Sequence, residues 1–266
     1  MYGEVVSTEQ LTPQLIRVVF GGPGLDEYEP IPDTDAYVNC FFLPEGAGYT
    51  APFDTEAVRD LPREQRPYPR RYTIRSWDAE TRQLTVDFVV HGDIGYAGRW
   101  ATNARPGDTL AMRGPAGGYV PPPDADGYLL VGDESALPAI AASAEAVPAG
   151  KPVVIVAEAD DVEGEIAFTS PGALRVVWVH RHGAGDSDNL LADAVRDLPR
   201  PTGVVSGFIH GEAMATRAVR RVVLEKDMVA RDLLSCSPYW RRGLTDEEWR
   251  SIKRDFVRET EAEVPA

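Results

Sequence analysis

Hydrophobic positions along this chain keep two different periods, and the change between them divides it. Over the first ~120 residues the apolar positions come in short β-branched runs: 15–22, 36–44, 70–78, 83–92 and 108–118. Gly, Pro and Asp punctuate these runs at roughly regular spacing, which predicts an antiparallel barrel. The first twenty residues, "MYGEVVSTEQLTPQLIRVVF", alternate like a strand too. They lack a basic segment followed by an apolar core, so they do not read as a signal peptide. The polar, proline-containing stretch 44–69 predicts a loop or short helix over a barrel end. "PPPDADG" at 121–127 continues neither sheet nor helix and marks the expected boundary.

Beyond the boundary, strands alternate with helices. Strand, turn and helix follow over 128–147, a buried strand at 152–161, a strand at 174–183 with a helix at 188–198, and a strand at 203–211 with a helix at 212–226. Such alternation predicts a parallel, doubly wound sheet with crossover helices. A last helix at 246–263 begins after Thr245 with Glu248 three residues on, the capping-box spacing. The expected organisation is a β-barrel at 1–122 and an α/β domain at 123–266, with a C-terminal helical extension from about 231. A barrel followed by a doubly wound domain is one arrangement that sets a flavin against a nicotinamide.

Composition narrows the chemistry. The 43% apolar and 26% charged residues belong to a soluble globular class, and no run approaches the ~20 apolar residues of a membrane span. The formal charge of −15 repels nucleic acid and anionic membranes. The two cysteines are too few for an iron–sulfur cluster, and the histidines lack metal-ligand spacing, so no metal site is expected. A cytoplasmic monomer is the simplest expectation.

Against that acidic background, "RRYTIRSWD" at 70–78 concentrates three arginines around a tyrosine and a threonine. On an ideal strand Arg70, Tyr72 and Ile74 share one face, and Arg71, Thr73 and Arg75 the other. A tyrosine stacks on a flat ring, a threonine donates to a ring nitrogen, and an arginine forks onto pyrophosphate oxygens. These are the demands of a dinucleotide flavin. The plain alternative is arginines paired with neighbouring carboxylates.

The stretch "RRYTIRSWDAETRQLTVDFVVHG" resembles the siderophore-interacting protein family, flavin-dependent ferric-siderophore reductases of the ferredoxin-reductase-like superfamily. Its R-x-Y-T-x-R, D-F-V-x-H-G and W-A elements match Arg70, Tyr72, Thr73, Arg75, Asp87, Phe88, Val89, His91, Gly92, Gly95, Ala97, Trp100 and Ala101. The resemblance implies FAD, with Arg70 on the phosphates, Tyr72 on the isoalloxazine and Thr73 near its reactive nitrogen. His91 and Gly92 fall along the ribityl and phosphate path. Where the family reads G-P-A-S-x-W-A, this chain has "GYAGRWA", so Gly98 replaces a phosphate-binding serine. Backbone N–H groups of the glycine-rich turn, with Arg99 nearby, are expected to take over.

Three further segments resemble the same family. "LLVGDESALPAIAA" supplies Gly132, Asp133, Glu134 and Ser135 at a strand–helix turn, the expected nicotinamide site. With a single glycine and two acids it is a poor dinucleotide fingerprint, and those acids also suit a bare helix N-terminus. Glu158 ends the next strand, where an acid would hold ribose hydroxyls and favour NADH, whereas Arg181 would meet the 2′-phosphate of NADPH. "HGEAMATRAVRR" places Gly211 and Glu212 near the nicotinamide, with His210 in place of the family's alanine, and Arg217, Arg220 and Arg221 on a helix face that reads as salt-bridged. "SPYWRRGLTDEEW" resembles the C-terminal Y-W-R-x-G motif. Tyr239 and Trp240 are expected at the flavin edge or in packing, and Arg241, Arg242, Arg250 and Lys253 as docking cations for an anionic complex.

The implied activity passes electrons from NADH, NADPH or a ferredoxin through FAD to an Fe(III)–siderophore, with no catalytic acid or base. The alternatives are a general flavin reductase feeding an oxygenase, and a flavin-containing siderophore-binding module without turnover.

Overall fold

A computed structural model describes residues 1–90, 95–182 and 189–263. Two compact units emerge, Met1–Gly118 and Tyr119–Ala266.

The first unit is a closed six-stranded barrel. Its strands are β1 (Tyr2–Thr12), β2 (Leu15–Gly21), β3 (Tyr37–Phe42), β4 (Tyr68–Asp78), β5 (Gln83–Val89) and β6 (Thr109–Ala116), ordered β1-β2-β5-β4-β3-β6. Alternation dictates the inside: Val18 and Phe20 of β2, Val38, Cys40 and Phe42 of β3, and Leu84, Val86 and Phe88 of β5 are all buried. The stretch 44–69 carries two short 3-10 turns, Ala57–Asp60 and Arg63–Gln65, as expected. The segment read as a glycine-rich turn is instead the start of a helix, α1 (Tyr96–Asn103). Its Trp100 reaches into the barrel core against Phe20, Phe42 and Phe88, with ring centroids 5.7–6.0 Å apart. That burial outweighs the low helix propensity of Gly98.

The second unit is a five-stranded parallel sheet, ordered β11-β10-β7-β8-β9. The strands are β7 (Gly127–Gly132), β8 (Pro152–Ala159), β9 (Ala173–His180), β10 (Val205–Glu212) and β11 (Leu234–Trp240). Helices α2 (Leu137–Glu145), α3 (Leu190–Arg196) and α4 (Ala213–Glu225) join them, and α5 (Asp246–Glu263) ends the described chain. The central strands β7 and β10 are buried along their whole length, the pattern of a sheet covered on both faces. The order runs outward from β7 through β8 to β9 on one side and through β10 to β11 on the other. Such a switch point opens a crevice at the carboxyl ends of β7 and β10. Strand β11 goes beyond the sequence expectation, which saw only a motif there.

Candidate functional site

In the barrel the candidate residues lie on β4, which meets the start of α1 at one stack of rings. Tyr68 and Tyr72 bracket Arg70 on that face at i−2 and i+2. The Tyr68 ring stacks flat on Tyr96, the first residue of α1, at 3.7 Å and 11°. Tyr72 packs on Phe88 at 4.5 Å and Phe42 at 6.3 Å, and both of those rings touch Trp100 one turn along α1. Arg70, half-buried, lies between these two tyrosines on the same face of β4. The first turn of α1 starts at Gly95, whose φ of 92° suits glycine alone and which has no side chain of its own to act as a cap. A guanidinium near a helix N-terminus suits a pyrophosphate.

Arg75 faces the wrong way on an ideal strand, and the chain supplies the bend. The β4–β5 register slips between Ile74 and Ser76, and Thr73 and Ile74 are buried in succession. A bulge of this kind re-aims the side chains beyond it. Thr73 lies buried and Arg75 half-buried. Asp87 serves the framework: Arg17, directly opposite in β2, donates to both its oxygens at 2.7 and 2.8 Å. Val89 closes β5, and Ala97 and Gly98 are buried in α1. His91 and Gly92 lie outside the described residues. A Cβ at Gly98 would meet Val90 at 3.6 Å, an ordinary contact, so packing does not require glycine there. The residues present fit FAD: a cation and a helix N-terminus for phosphate, an aromatic ring, and a threonine next to it in sequence.

At the crevice of the second unit the chain fills its own space. Asp133 is buried and accepts from the Ser135 amide (2.9 Å) and hydroxyl (2.5 Å), the Glu212 amide (2.7 Å) and the Trp240 indole (2.9 Å). It ties the carboxyl ends of β7, β10 and β11 together. Burial, followed by the charge of Glu134, raises its pKa. Gly211 has φ 138°, and a Cβ there would strike the Asp133 carboxylate at 2.8 Å. A Cβ at Gly132 would strike the His210 carbonyl oxygen at 2.5 Å. The close approach these glycines permit is therefore made by the protein itself. Glu212 caps α4, accepting from the amides of Met214 (2.5 Å) and Ala215 (3.0 Å), and takes the Arg242 amide at 3.0 Å.

Arg181 corrects one expectation. Its guanidinium donates to Glu134 (2.8 Å), Glu158 (3.0 Å) and Asp160 (2.5 and 2.9 Å), so it is occupied by carboxylates rather than presented to a 2′-phosphate. Glu158 is likewise turned to Arg181 rather than presented to a ribose. Its second oxygen is buried with no partner among the described residues, and burial pushes its pKa up to about 7 against the pull of Arg181. Three segments far apart in sequence make this cluster, Glu134, Glu158 with Asp160, and Arg181, and no contiguous motif announces it.

The C-terminal motif packs within its own unit. The Tyr239 hydroxyl meets His210 Nδ1 at 2.9 Å, and the Tyr239 carbonyl oxygen accepts from the Trp249 indole at 3.1 Å. His210, buried and stacked on Phe208 at 3.7 Å, meets the Ser235 hydroxyl through Nε2 at 2.9 Å. Of the expected docking cations, Arg241 lies 3.7 Å from Glu212 and Arg250 pairs with Asp246 at 2.7 Å. The salt-bridged reading of α4 holds: Arg217 and Arg221 pair with Glu263, and Arg220 donates to the Thr260 carbonyl oxygen at 3.0 Å. Among the described residues no group of His, Cys, Asp and Glu is placed to hold a metal ion, and no helix is long and apolar enough to cross a membrane.

Comparison with known proteins supplies the class. Residues 4–119 match the siderophore-interacting FAD-binding domain, and residues 125–243 match the siderophore-interacting protein domain. An uncharacterised Mycobacterium tuberculosis protein is 41% identical over 96% of this chain and 94% of its own. Ferric vibriobactin reductase ViuB of Vibrio cholerae is 31% identical over 92% of this chain and 91% of its own. An NADPH-dependent ferric-chelate reductase of Escherichia coli is 36% identical over 51% of this chain and 52% of its own. Among solved structures, the siderophore-interacting protein SipS of Aeromonas hydrophila superposes with a TM-score of 0.81 at 28% identity, covering 97% of this chain and 98% of that one. Fold and site together define a flavin-dependent oxidoreductase. The chain belongs to the siderophore-interacting protein family.

Proposed function

We propose that this protein is an FAD-dependent reductase that draws electrons from NADH or NADPH and delivers them to an Fe(III)–siderophore, releasing Fe(II). The observation that carries the reading is Arg70, Tyr72 and Thr73 together on β4, which meets the start of α1 at the Tyr68–Tyr96 stack, in a chain whose two halves both match siderophore-interacting domains. When bound, the flavin supplies the redox chemistry, accepting an electron pair and passing electrons on singly. The chain's own work is to hold and to orient. Arg70 and the first amides of α1 hold the pyrophosphate, while Tyr72 and Thr73 orient the ring. No side chain need move a proton. Hard Fe(III) is gripped by hydroxamate or catecholate oxygens, and Fe(II) is held less tightly, so reduction is itself the release step.

The name of the E. coli relative supports a nicotinamide donor. A ferredoxin is the other donor to test, and the reaction belongs in the cytoplasm, where these donors are. Steady-state turnover under anaerobic conditions, with a ferrous-specific chelator, tests the reading. Oxidation of NADH or NADPH should depend on ferric siderophore and should form one Fe(II) complex per electron. Turnover with free flavin and indifference to ferric siderophore would favour a general flavin reductase instead.

A further inference from the structure

We propose that Arg181 and the carboxylates around it, Glu134, Glu158 and Asp160, set the donor choice of this protein, admitting NADH and turning away NADPH. The proposal rests on the reading of the second unit as the nicotinamide-binding half and specifies which dinucleotide it takes.

In a doubly wound sheet the adenosine ribose comes to the carboxyl end of the strand beside the first. There an acid takes the 2′-hydroxyl, or a cation takes the 2′-phosphate. Here that strand is β8, flanked by β7 and β9. NADPH differs from NADH only by that phosphate, which carries about two negative charges and needs a cation with donors to spare.

Arg181, just past β9, has none to spare. Its Nε donates to Asp160 at 2.9 Å. One terminal nitrogen donates to Glu134 at 2.8 Å and Glu158 at 3.0 Å, and the other to Asp160 at 2.5 Å and again to Glu134. Those contacts take up the whole guanidinium fork. Three carboxylates around one guanidinium leave the cluster net negative, and the second oxygen of Glu158 is buried with no partner among the described residues. Swinging Arg181 out to a phosphate would strip buried Glu134 and Glu158 of their counter-charge.

The neighbouring connections do not supply the missing cation. Residues 160–172 follow β8, and residues 182–189 follow Arg181. Together they hold six acids and no lysine or arginine. Asp160 is the outermost carboxylate of the cluster, its side chain 45% exposed against 3% and 4% for Glu134 and Glu158. A carboxylate in that position accepts from a ribose hydroxyl and repels a phosphate in its place.

The test mixes the FAD-loaded full chain with NADH or NADPH without oxygen and follows flavin bleaching. Calorimetry with ADP-ribose and with its 2′-phosphorylated form gives a readout independent of turnover. NADH should bleach the flavin about tenfold or more efficiently than NADPH, and ADP-ribose should bind more tightly than its 2′-phosphorylated form by a similar factor. Asp160→Asn removes one charge and keeps an acceptor for Arg181. It should narrow both differences about threefold, through affinity rather than limiting rate, and added salt should narrow them too. Equal use of both donors, or a preference for NADPH, overturns the proposal. So does a preference for NADH that Asp160→Asn and salt leave unchanged. Bleaching by neither donor, with neither form of ADP-ribose bound, would instead overturn the nicotinamide reading on which the proposal rests.

Discussion

Arg70 and Arg75 belong to one motif and reach their positions by different means. Arg70 follows strand alternation onto the face it shares with Tyr68 and Tyr72. Arg75 depends on the slip between Ile74 and Ser76. A charge-assisted hydrogen bond is worth roughly 1.5–3 kcal/mol, so Arg70→Ala should weaken FAD binding by tenfold or more, read by equilibrium titration. Gly98→Ser should act in the opposite direction. The 3.6 Å clearance admits a side chain, and the added hydroxyl should lower the FAD dissociation constant without loss of thermal stability. His210 makes a separate prediction. Burial pushes its pKa down to about 3, whereas in the unfolded chain it titrates near 6.5. Between those values the unfolded chain binds a proton that the folded chain refuses, so stability falls as pH drops from about 6.5 towards 3. Glu158 runs the other way: with its pKa raised to about 7, its contribution is greatest below about 4.5 and declines as pH rises through 7. His210→Ala should therefore lose less stability than the parent between pH 7 and pH 5, measured as urea midpoints. An equal loss in both would show that His210 already titrates normally.

At the level of elements, α5 is fixed at both ends. Thr245 and Glu248 form the reciprocal cap: the Thr245 amide and hydroxyl donate to the Glu248 carboxylate at 2.8 Å, and the Glu248 amide donates back at 3.3 Å. Further along, the buried Trp249 bonds β11 through the Tyr239 carbonyl oxygen, and Glu263 meets Arg217 and Arg221 on α4. Thr245→Ala should cost about 1 kcal/mol of stability and Trp249→Ala about 3–5 kcal/mol, by urea unfolding. The capping box was legible because it is four contiguous residues. Strand β11 was not, because "LSCSPYW" carries serines and a proline where β-branched residues mark a strand. Proline is tolerated there because β11 is an edge strand. Helix α1 was hidden by Gly95 and Gly98, and tertiary burial of Trp100 decided it. The barrel motif could be read from sequence because one strand carries most of it. The Arg181 cluster could not, because three segments converge only after the sheet is built.

For the whole molecule, the −15 charge and the arginine-rich strand are parts of one account. General repulsion keeps polyanions away, and a local cationic face selects one small anionic cofactor. The central claim is that electrons held by this protein reach iron in a siderophore. The most direct measurement is a single turnover: photoreduce the FAD-loaded protein without oxygen, then add ferric siderophore and a ferrous-specific chelator. The account predicts that flavin absorbance returns as two Fe(II)–chelator complexes form for each flavin reoxidised. A reduced flavin that persists, with no Fe(II) formed, would contradict it.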